Sequence, residues 1–525
     1  LPFVLLQNKI SKMQLHYDYI IIGTGAGGGT IAYTLAESGK SILILERGAF
    51  LPQEKENWDT VAVFQDERYH TKEVWKDKDG EDLHPGTGYW VGGNTKVYGA
   101  ALFRLREEDF GEIQHFGGIS PSWPLKYEDF EPFYDKAEKL FDVHGKAGVD
   151  PTEPFRSEPL PFDGVADEPR IAEVRAGLEK MGLYPFDIPL GIKLDEKDML
   201  RSKCIKCDTC DGFPCLLHAK ADSDINCIRP IMDKENITLL INATAERLVT
   251  NDEGNKITGV ETLVNGEQIT FSGETVIVSC GAVNSAVLFL KSANEKHPNG
   301  LANKSDQVGR NFMKHQNAAM LAMSFKENPV HFQKTIAIND YYLANAENEN
   351  FKFPMGGIQL MGKSNRYMLT GDAPAFTPMK VLSEMAQHSV DWWFMAEDLP
   401  MPENRVLWKN NQTHLNYTTH NGEALDELLK TFSKVLTEME DHIKFLPENI
   451  NISKKIPLAG VAHQNGTLRF GNNPETSVLD TNCKTHEVDN LYVVDASFFP
   501  SCGAVNPSLT IIANAIRVGE YLLKL

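Results

Sequence analysis

The 525-residue chain contains no run of about 18 apolar residues, so no segment of it is suited to span a bilayer. It also lacks a basic stripe: 52 Lys and Arg stand against 72 Asp and Glu, a formal net charge of −20. That excess makes for a soluble surface and argues against a polyanionic partner such as nucleic acid. Forty glycines and 27 prolines are spread along the chain, which excludes collagen-like and low-complexity states. With 42% apolar residues there is ample material for a core. No internal repeat is visible. Leu1–Ile10 begins apolar but has no charged leader and no small-residue cleavage site, so it is a poor signal peptide, and Met13 is a candidate start. The sequons at Asn236, Asn242, Asn303 and Asn411 carry little weight without a secretory context, and the expected location is cytoplasmic.

At roughly 100–200 residues per domain the length suggests about two to four domains. The short apolar runs Asp18–Ile22 and Ser41–Glu46 flank Ala26–Ser38, which is rich in small and apolar residues and closes at Gly39. That order predicts strand, helix, strand at the start of the chain. Gln53–Gly88 reads as polar and aromatic loops around a site. Strands are expected at Thr238–Asn242 and Glu274–Cys280, and an amphipathic helix over Ala424–Phe445. Leu491–Leu525 reads as strand, loop and helix, so nucleotide-type segments sit at both ends and in the middle of the chain.

Gly23-Thr24-Gly25-Ala26-Gly27-Gly28 fits G-x-G-x-x-G after the strand Tyr19–Ile22. The first glycine allows a tight turn, the second lets backbone approach a pyrophosphate, and the third permits close helix–strand packing. The helix N-terminus then offers free N–H groups to an anion. Glu46 closes the next strand 18 residues after Gly28, placed to accept hydrogen bonds from ribose hydroxyls. Near the C-terminus, Asn490–Ser497 reads as a strand ending in Asp495 and Ala496, and Gly503–Thr510 opens a helix. A second fingerprint of this kind favours FAD over NAD.

Four stretches together resemble the glucose–methanol–choline (GMC) oxidoreductase family. They are the N-terminal fingerprint, Gly92–Gly99, the Gly281–Ser285 turn with Val308–Phe312, and the region from His463 to Ile516. The Asn506-Pro507 pair and the Gly92–Arg104 stretch are most similar to the pyranose oxidase, cholesterol oxidase and glycoside 3-oxidase branches. The resemblance implies an α/β fold with a Rossmann-like FAD-binding domain of residues 14–130, 200–325 and 455–525. A sheet-plus-helix substrate domain would comprise 131–199 and 326–454. It implies cofactor contacts at Gly23, Gly25, Ala26, Gly28, Glu46, Arg47, Gly93, Asn94, Thr95, Val97, Ala245, Asp495, Ala496, Asn506, Pro507 and Ser508. Fungal pyranose oxidases attach flavin through a His in the Gly-Gly loop. This chain has Val97 there, which has no nucleophile, so the FAD is expected to be non-covalent.

Oxidising an alcohol on a flavin requires removal of the hydroxyl proton and transfer of a hydride from carbon to N5. His463, in His463-Gln464-Asn465-Gly466-Thr467, suits the first task because a neutral imidazole is a base near working pH. By resemblance Asn506 is its partner at the substrate oxygen, a place where it could also serve as a helix cap. His84, His315 and His388 stand in no such motif and are read as ordinary histidines. Trp392 and Trp393 could stack on a sugar face or belong to a half-buried strand.

Cys204, Cys207, Cys210 and Cys215 place four of the eight cysteines within 12 residues. The spacing approaches a ferredoxin run but its last gap is one residue too long. An iron–sulfur cluster, a structural zinc, and disulfides or free thiols all remain open at this point. Certain sugar dehydrogenases of the family relay electrons through such a cluster. The other four, Cys227, Cys280, Cys483 and Cys502, read as small core residues. The expected activity is FAD-dependent oxidation of a sugar or glycoside hydroxyl, with O2, a quinone or another acceptor reoxidising the flavin. The family's FAD-containing lyases and the catalytic subunits of dehydrogenase complexes are the alternatives.

Overall fold

The computed structural model describes residues 14–345, 351–371, 373–374, 376–439, 451–460 and 462–525. The segment Leu1–Ile10, Met13 and residues 440–445 of the expected helix lie outside these. Strands β1 (His16–Ile22) and β2 (Ile42–Leu45) are apolar almost throughout because both faces of their sheet are covered. They pair in parallel, Ile20 opposite Leu43, with helix α1 (Ala26–Leu35) between them in the chain. β3 (Ile237–Leu240) adds beyond β2. On the other side β1 pairs with β6 (Glu267–Val278), whose 12 residues run on into an antiparallel meander with β5 (Ile257–Val264) and β4 (Ala243–Thr250). β14 (Leu491–Val493) joins β6 in parallel, so the two ends of the chain and its middle meet in one sheet.

Helix α5 (Ser508–Leu522) packs against α1 and against α2 (Tyr127–Leu140). Gly519 makes the first contact close: a Cβ there would stand 2.7 Å from Thr34 Cγ2. Tyr134 and Thr510 hydroxyls lie 2.8 Å apart at the second.

A second, antiparallel sheet runs β12 (Asn451–Lys455), β8 (Gln316–Met323), β11 (Ser389–Ala396), β10 (Gly357–Leu360), β9 (Ile336–Ile338), then Phe186–Asp187. Helix α4 (Gly422–Met439) covers one face, setting Phe432 against Trp392 and Phe394 with ring centroids 4.9 and 5.7 Å apart. Trp392 is therefore core, while Trp393 points to the opposite face and is only part-buried.

The region expected as loops between Gln53 and Gly88 contains strands at Trp75–Asp77 and Asp82–Leu83. They join Gln412–Asn416 and Arg405–Lys409 in a small sheet. Trp75 buries itself there against Val283 and Ala286 of α3 (Ala282–Lys291), so a long-range partner supplies the order that the local sequence does not. Finally β7 (Met313–Lys314) pairs with β13 (Gln464–Asn465), Lys314 opposite Gln464. That clamp ties two distant stretches of chain together beside the candidate site.

Candidate active site

Gly23 adopts φ +97°, and a Cβ on it would lie 2.2 Å from Ser279 O. A Cβ on Gly28 would lie 2.0 Å from Gly23 O, whereas one on Gly25 would meet nothing within 4 Å. Two positions are thus closed by packing and the middle one is open backbone. α1 has no side-chain cap, so its first-turn N–H groups, around Gly25 and Ala26, remain available to an anion. Ser223 Oγ fixes the turn by donating to the carbonyls of Thr24 (2.8 Å) and Gly25 (2.9 Å).

Glu46 is buried, and burial raises its carboxyl pKa. Its carboxylate accepts from Thr24 N (3.1 Å), Thr24 Oγ1 (2.5 Å) and Gly48 N (2.8 Å). With about four acceptor sites on a carboxylate, roughly one is left for a ribose hydroxyl. The expected acceptor is therefore first a brace of the fingerprint turn. Arg47 stacks 3.7 Å from the Tyr89 ring centroid and pairs with Glu73 at 3.8 Å. Ala245 lies on β4, which Glu46 O starts by accepting from Ala243 N at 2.9 Å.

The Gly92–Gly99 loop seats directly on the fingerprint: a Cβ on Gly93 would stand 2.9 Å from Gly25 Cα. Asn94 Oδ1 accepts from Thr87 Oγ1 (2.9 Å) and Gly88 N (3.3 Å), and Thr95 Oγ1 accepts from Ser223 N (3.0 Å). Val97 O accepts from Gly212 N at 3.0 Å, so the cysteine-rich segment packs against this loop.

Asp495 closes β14, but its side chain is committed to protein groups. Oδ2 accepts from Gly281 N (3.0 Å) and Ser285 Oγ, and Oδ1 accepts from Ser497 N (2.9 Å) and Ser497 Oγ. Only backbone at Asp495 and Ala496 is left to face a cofactor. Asn506 precedes α5 by two residues, and Pro507 occupies the cap position before Ser508, so Asn506 does not cap the helix. Its Oδ1 is buried and has no hydrogen-bond partner among the described residues. A buried amide oxygen without a partner is costly, and an arriving hydroxyl would satisfy it.

The clamp of β7 and β13 sets His315 against His463, Nδ1 to Nδ1 at 3.0 Å. His315 Nε2 lies 3.2 Å from Cys502 O, and only an N–H can bond a carbonyl, so Nε2 carries the His315 proton. Burial pushes His315 down to about 4, so its Nδ1 is an acceptor at neutral pH. His463 must then donate from Nδ1, which leaves its Nε2 as the lone-pair nitrogen. Burial first, then His315 and the Lys334 ammonium, hold His463 well below the ordinary histidine range. The sequence pattern alone does not single out His315, and the fold sets it directly against His463. Its signal was position: it follows Val308–Phe312 by three residues.

The loop carrying Cys502 and Asn506 is itself held from behind. Gly503 N donates to Glu397 Oε1 (3.1 Å) and Ala504 N to the Tyr342 hydroxyl (2.9 Å). Neither Glu397 nor Tyr342 could be found from sequence, since both come from the second sheet's side of the fold. His388 ends the helix Met379–His388 with its Nδ1 3.0 Å from Ser324 O, and His84 is exposed.

All eight cysteines are free thiols. Among the described residues no group of three or more His, Cys, Asp or Glu is disposed to hold a metal ion. Burial pushes the Cys204 thiol up to about 11 and that of Cys210 to about 12. No helix among the described residues is long and apolar enough to cross a membrane.

Two GMC oxidoreductase models match the chain, one over residues 17–317 and one over 402–515. The chain belongs to the GMC oxidoreductase family. Among curated proteins it is 29% identical to 6'''-hydroxyparomomycin C oxidase of Streptomyces lividus, over 96% of this chain and 91% of that one. Paromamine 6'-oxidase of Streptomyces fradiae is 26% identical over 95% and 90%. The fructose dehydrogenase large subunit of Gluconobacter japonicus is 24% identical over 98% and 99%. Among solved structures, pyridoxine 4-oxidase from Mesorbium loti superposes with a TM-score of 0.65 at 16% identity, over 96% of this chain and 98% of that one. A formate oxidase of Aspergillus oryzae RIB40 gives the same score.

As a GMC oxidoreductase the protein is a flavoprotein acting on CH–OH donors. Its own residues fit FAD: an open-backbone Gly25, an uncapped α1, a Gly-Gly loop seated on that turn, and an unpartnered Asn506 amide beyond it.

Proposed function

We propose that this protein oxidises a hydroxyl of a sugar or amino sugar to a carbonyl, with His463 Nε2 as the base. The observation that supports it most is the chain from Cys502 O through His315 to His463, which leaves one basic, unprotonated nitrogen in the half-buried site. The bound flavin supplies the acceptor for the substrate's hydride. His463 takes the hydroxyl proton, and its depressed proton affinity keeps it neutral and ready at working pH. His315 is a positioning residue: it fixes the His463 ring and tautomer without touching the substrate. The Asn506 side-chain amide N–H donates to the substrate oxygen and stabilises the negative charge gathering there as His463 takes the proton.

Gly23, Gly25, Ala26 and Gly28 form the pyrophosphate turn in this reading. Glu46, Arg47 and Ala245 border the nucleoside, and Gly93, Asn94, Thr95 and Val97 lie along the ring. Backbone at Asp495 and Ala496 and the start of α5 at Pro507 and Ser508 complete the cradle. FAD is held without a covalent bond, and residues 14–130, 200–325 and 455–525 carry it. The likeness to 6'''-hydroxyparomomycin C oxidase, paromamine 6'-oxidase and the fructose dehydrogenase large subunit supports a carbohydrate substrate, with O2, a quinone or another acceptor reoxidising the flavin.

The test is visible absorbance of the anaerobic protein during addition of sugars, glycosides and amino sugars. Loss of the oxidised-flavin bands with one class is expected, and admitting air then shows whether O2 is the acceptor. Bands that no member of the panel bleaches would overturn the substrate assignment.

A further inference from the structure

A cavity of about 330 Å3 lies between β7, the start of α4 and the Trp75–Asp77 hairpin. Neither His315 nor His463 lines it, and no residue of the nucleotide fingerprint does. One of its walls is Lys314, only 4% exposed. Among the described residues the Lys314 ammonium has no hydrogen bond and no ion pair. Its Nζ stands over the Tyr417 ring, 5.5 Å from the centroid. The neighbouring Asp398 carboxyl favours the Lys314 charge but makes no direct ion pair with it: its Oδ2 accepts from the backbone N of Lys314 (3.1 Å) and from Tyr417 OH (3.0 Å). Burial pushes that carboxyl up to about 7.

A buried cation with no partner is expensive to maintain, and a cavity at its tip allows a partner to come from solution. The rest of the wall agrees in charge. Gly422, first residue of the 18-residue α4, lines the cavity and brings the positive end of that helix to it. Lys78 stands exposed at the rim and has no ion pair among the described residues. Lys455 is paired with Asp426 at 2.6 Å, and the Asp77 carboxylate is turned onto the N–H groups of Asp79 and Glu81. Leu415, Leu425, Ile456 and Leu458 supply an apolar floor. The volume is at the lower end of the range for small-molecule sites, about 300–1,000 Å3.

We propose that this cavity binds a small organic anion, its carboxylate or phosphate head on Lys314 and its apolar body against Leu425 and Leu458. The site is separate from the flavin and from His463, and does not depend on the reaction proposed above. Because Lys314 and His315 are adjacent residues and Lys314 pairs with Gln464, an occupant would sit one peptide away from the histidine pair.

The test is calorimetric titration of the FAD-loaded protein with benzoate, phenyl phosphate and the uncharged benzamide. At least one anion is expected to bind at one per chain, and benzamide at least about tenfold more weakly. Which anion binds tells carboxylate from phosphate. Lys314→Met, close in volume, should lose about tenfold or more in anion affinity while keeping its flavin spectrum. Should that variant lose its fold, Lys78→Glu at the exposed rim is expected to weaken binding severalfold. The proposal is overturned if neither anion binds the wild type, if benzamide binds as well as they do, or if the substitutions leave the affinity unchanged.

Discussion

His315 and His463, 148 positions apart in the chain, face each other Nδ1 to Nδ1 at 3.0 Å. Because His315 spends its only proton on Cys502 O, the direction of the bond between them is decided, and so is the nitrogen on which His463 is basic. A hydrogen bond that selects a tautomer does so without any charge in the site, which suits a base that must accept a proton and then release it.

Removing the base should slow chemistry without emptying the cofactor site. His463→Ala is expected to lower the rate of flavin reduction by about 10²–10⁴-fold, with FAD content unchanged. Anaerobic stopped-flow absorbance measures both, and a rate within a factor of two of wild type would remove His463 from the mechanism.

The proton affinity of His463 sets the acid limb of activity. A base works deprotonated, so the rate should climb with pH and level off, with the limb below the ordinary histidine value of 6.5. His315→Asn removes one of the causes that depress His463, so the limb should move up in pH. Loss of ring alignment should lower kcat on the order of 10- to 100-fold. A pH profile of kcat/KM for both proteins checks this.

Gly25 and Gly28, three positions apart, should behave differently on gaining one methyl. Gly25→Ala projects into open space, so the variant should fold yet retain little FAD, its backbone no longer reachable by a pyrophosphate. In Gly28→Ala the new Cβ would overlap Gly23 O at 2.0 Å, so loss of folded protein is expected. Circular dichroism and the flavin-to-protein absorbance ratio distinguish the two outcomes.

Val97 offers no nucleophile in the loop beneath the proposed flavin ring. Acid precipitation should therefore leave all the yellow colour in the supernatant, and mass spectrometry should return the unmodified chain.

Asp398 should make stability depend on pH. Its folded pKa of about 7 lies above the unfolded value near 3.9, so its favourable contribution is complete below about pH 4 and is lost as pH rises through 7. Asp398→Asn keeps one oxygen for Lys314 N and Tyr417 OH and stays neutral throughout. The variant should be more stable than wild type at pH 8.5, by about a few degrees in Tm, and should lose part of the decline between pH 5.5 and 8.5. Asp109, also pushed to about 7, and the raised carboxyls of Glu46, Asp222, Asp391 and Asp495 carry the rest. Thermal melts at the two pH values suffice.

Much of this protein was decided by local pattern. The fingerprint turn is legible because Gly28 answers to Gly23 O within one strand–helix unit, although the contact that closes Gly23, with Ser279 O, comes from a distant strand end. β1, β2, α1 and α5 announce themselves by apolar runs and periodicity, and the four motif stretches identify the family. Tertiary structure decided the rest, because it depends on which distant segments pair. The β7–β13 clamp makes His315 a partner of His463, and neither stretch encodes that contact alone. Asp495 and Glu46 look like ligand residues in sequence, yet folding surrounds both with donors of the protein itself, using up the Asp495 carboxylate and leaving Glu46 about one acceptor site. Trp75 takes a strand inside an apparent loop once Val283 and Ala286 cover it. The cavity at Lys314 exists only where three separate segments fail to fill the space between them, and packing of that kind has no signature in a linear chain.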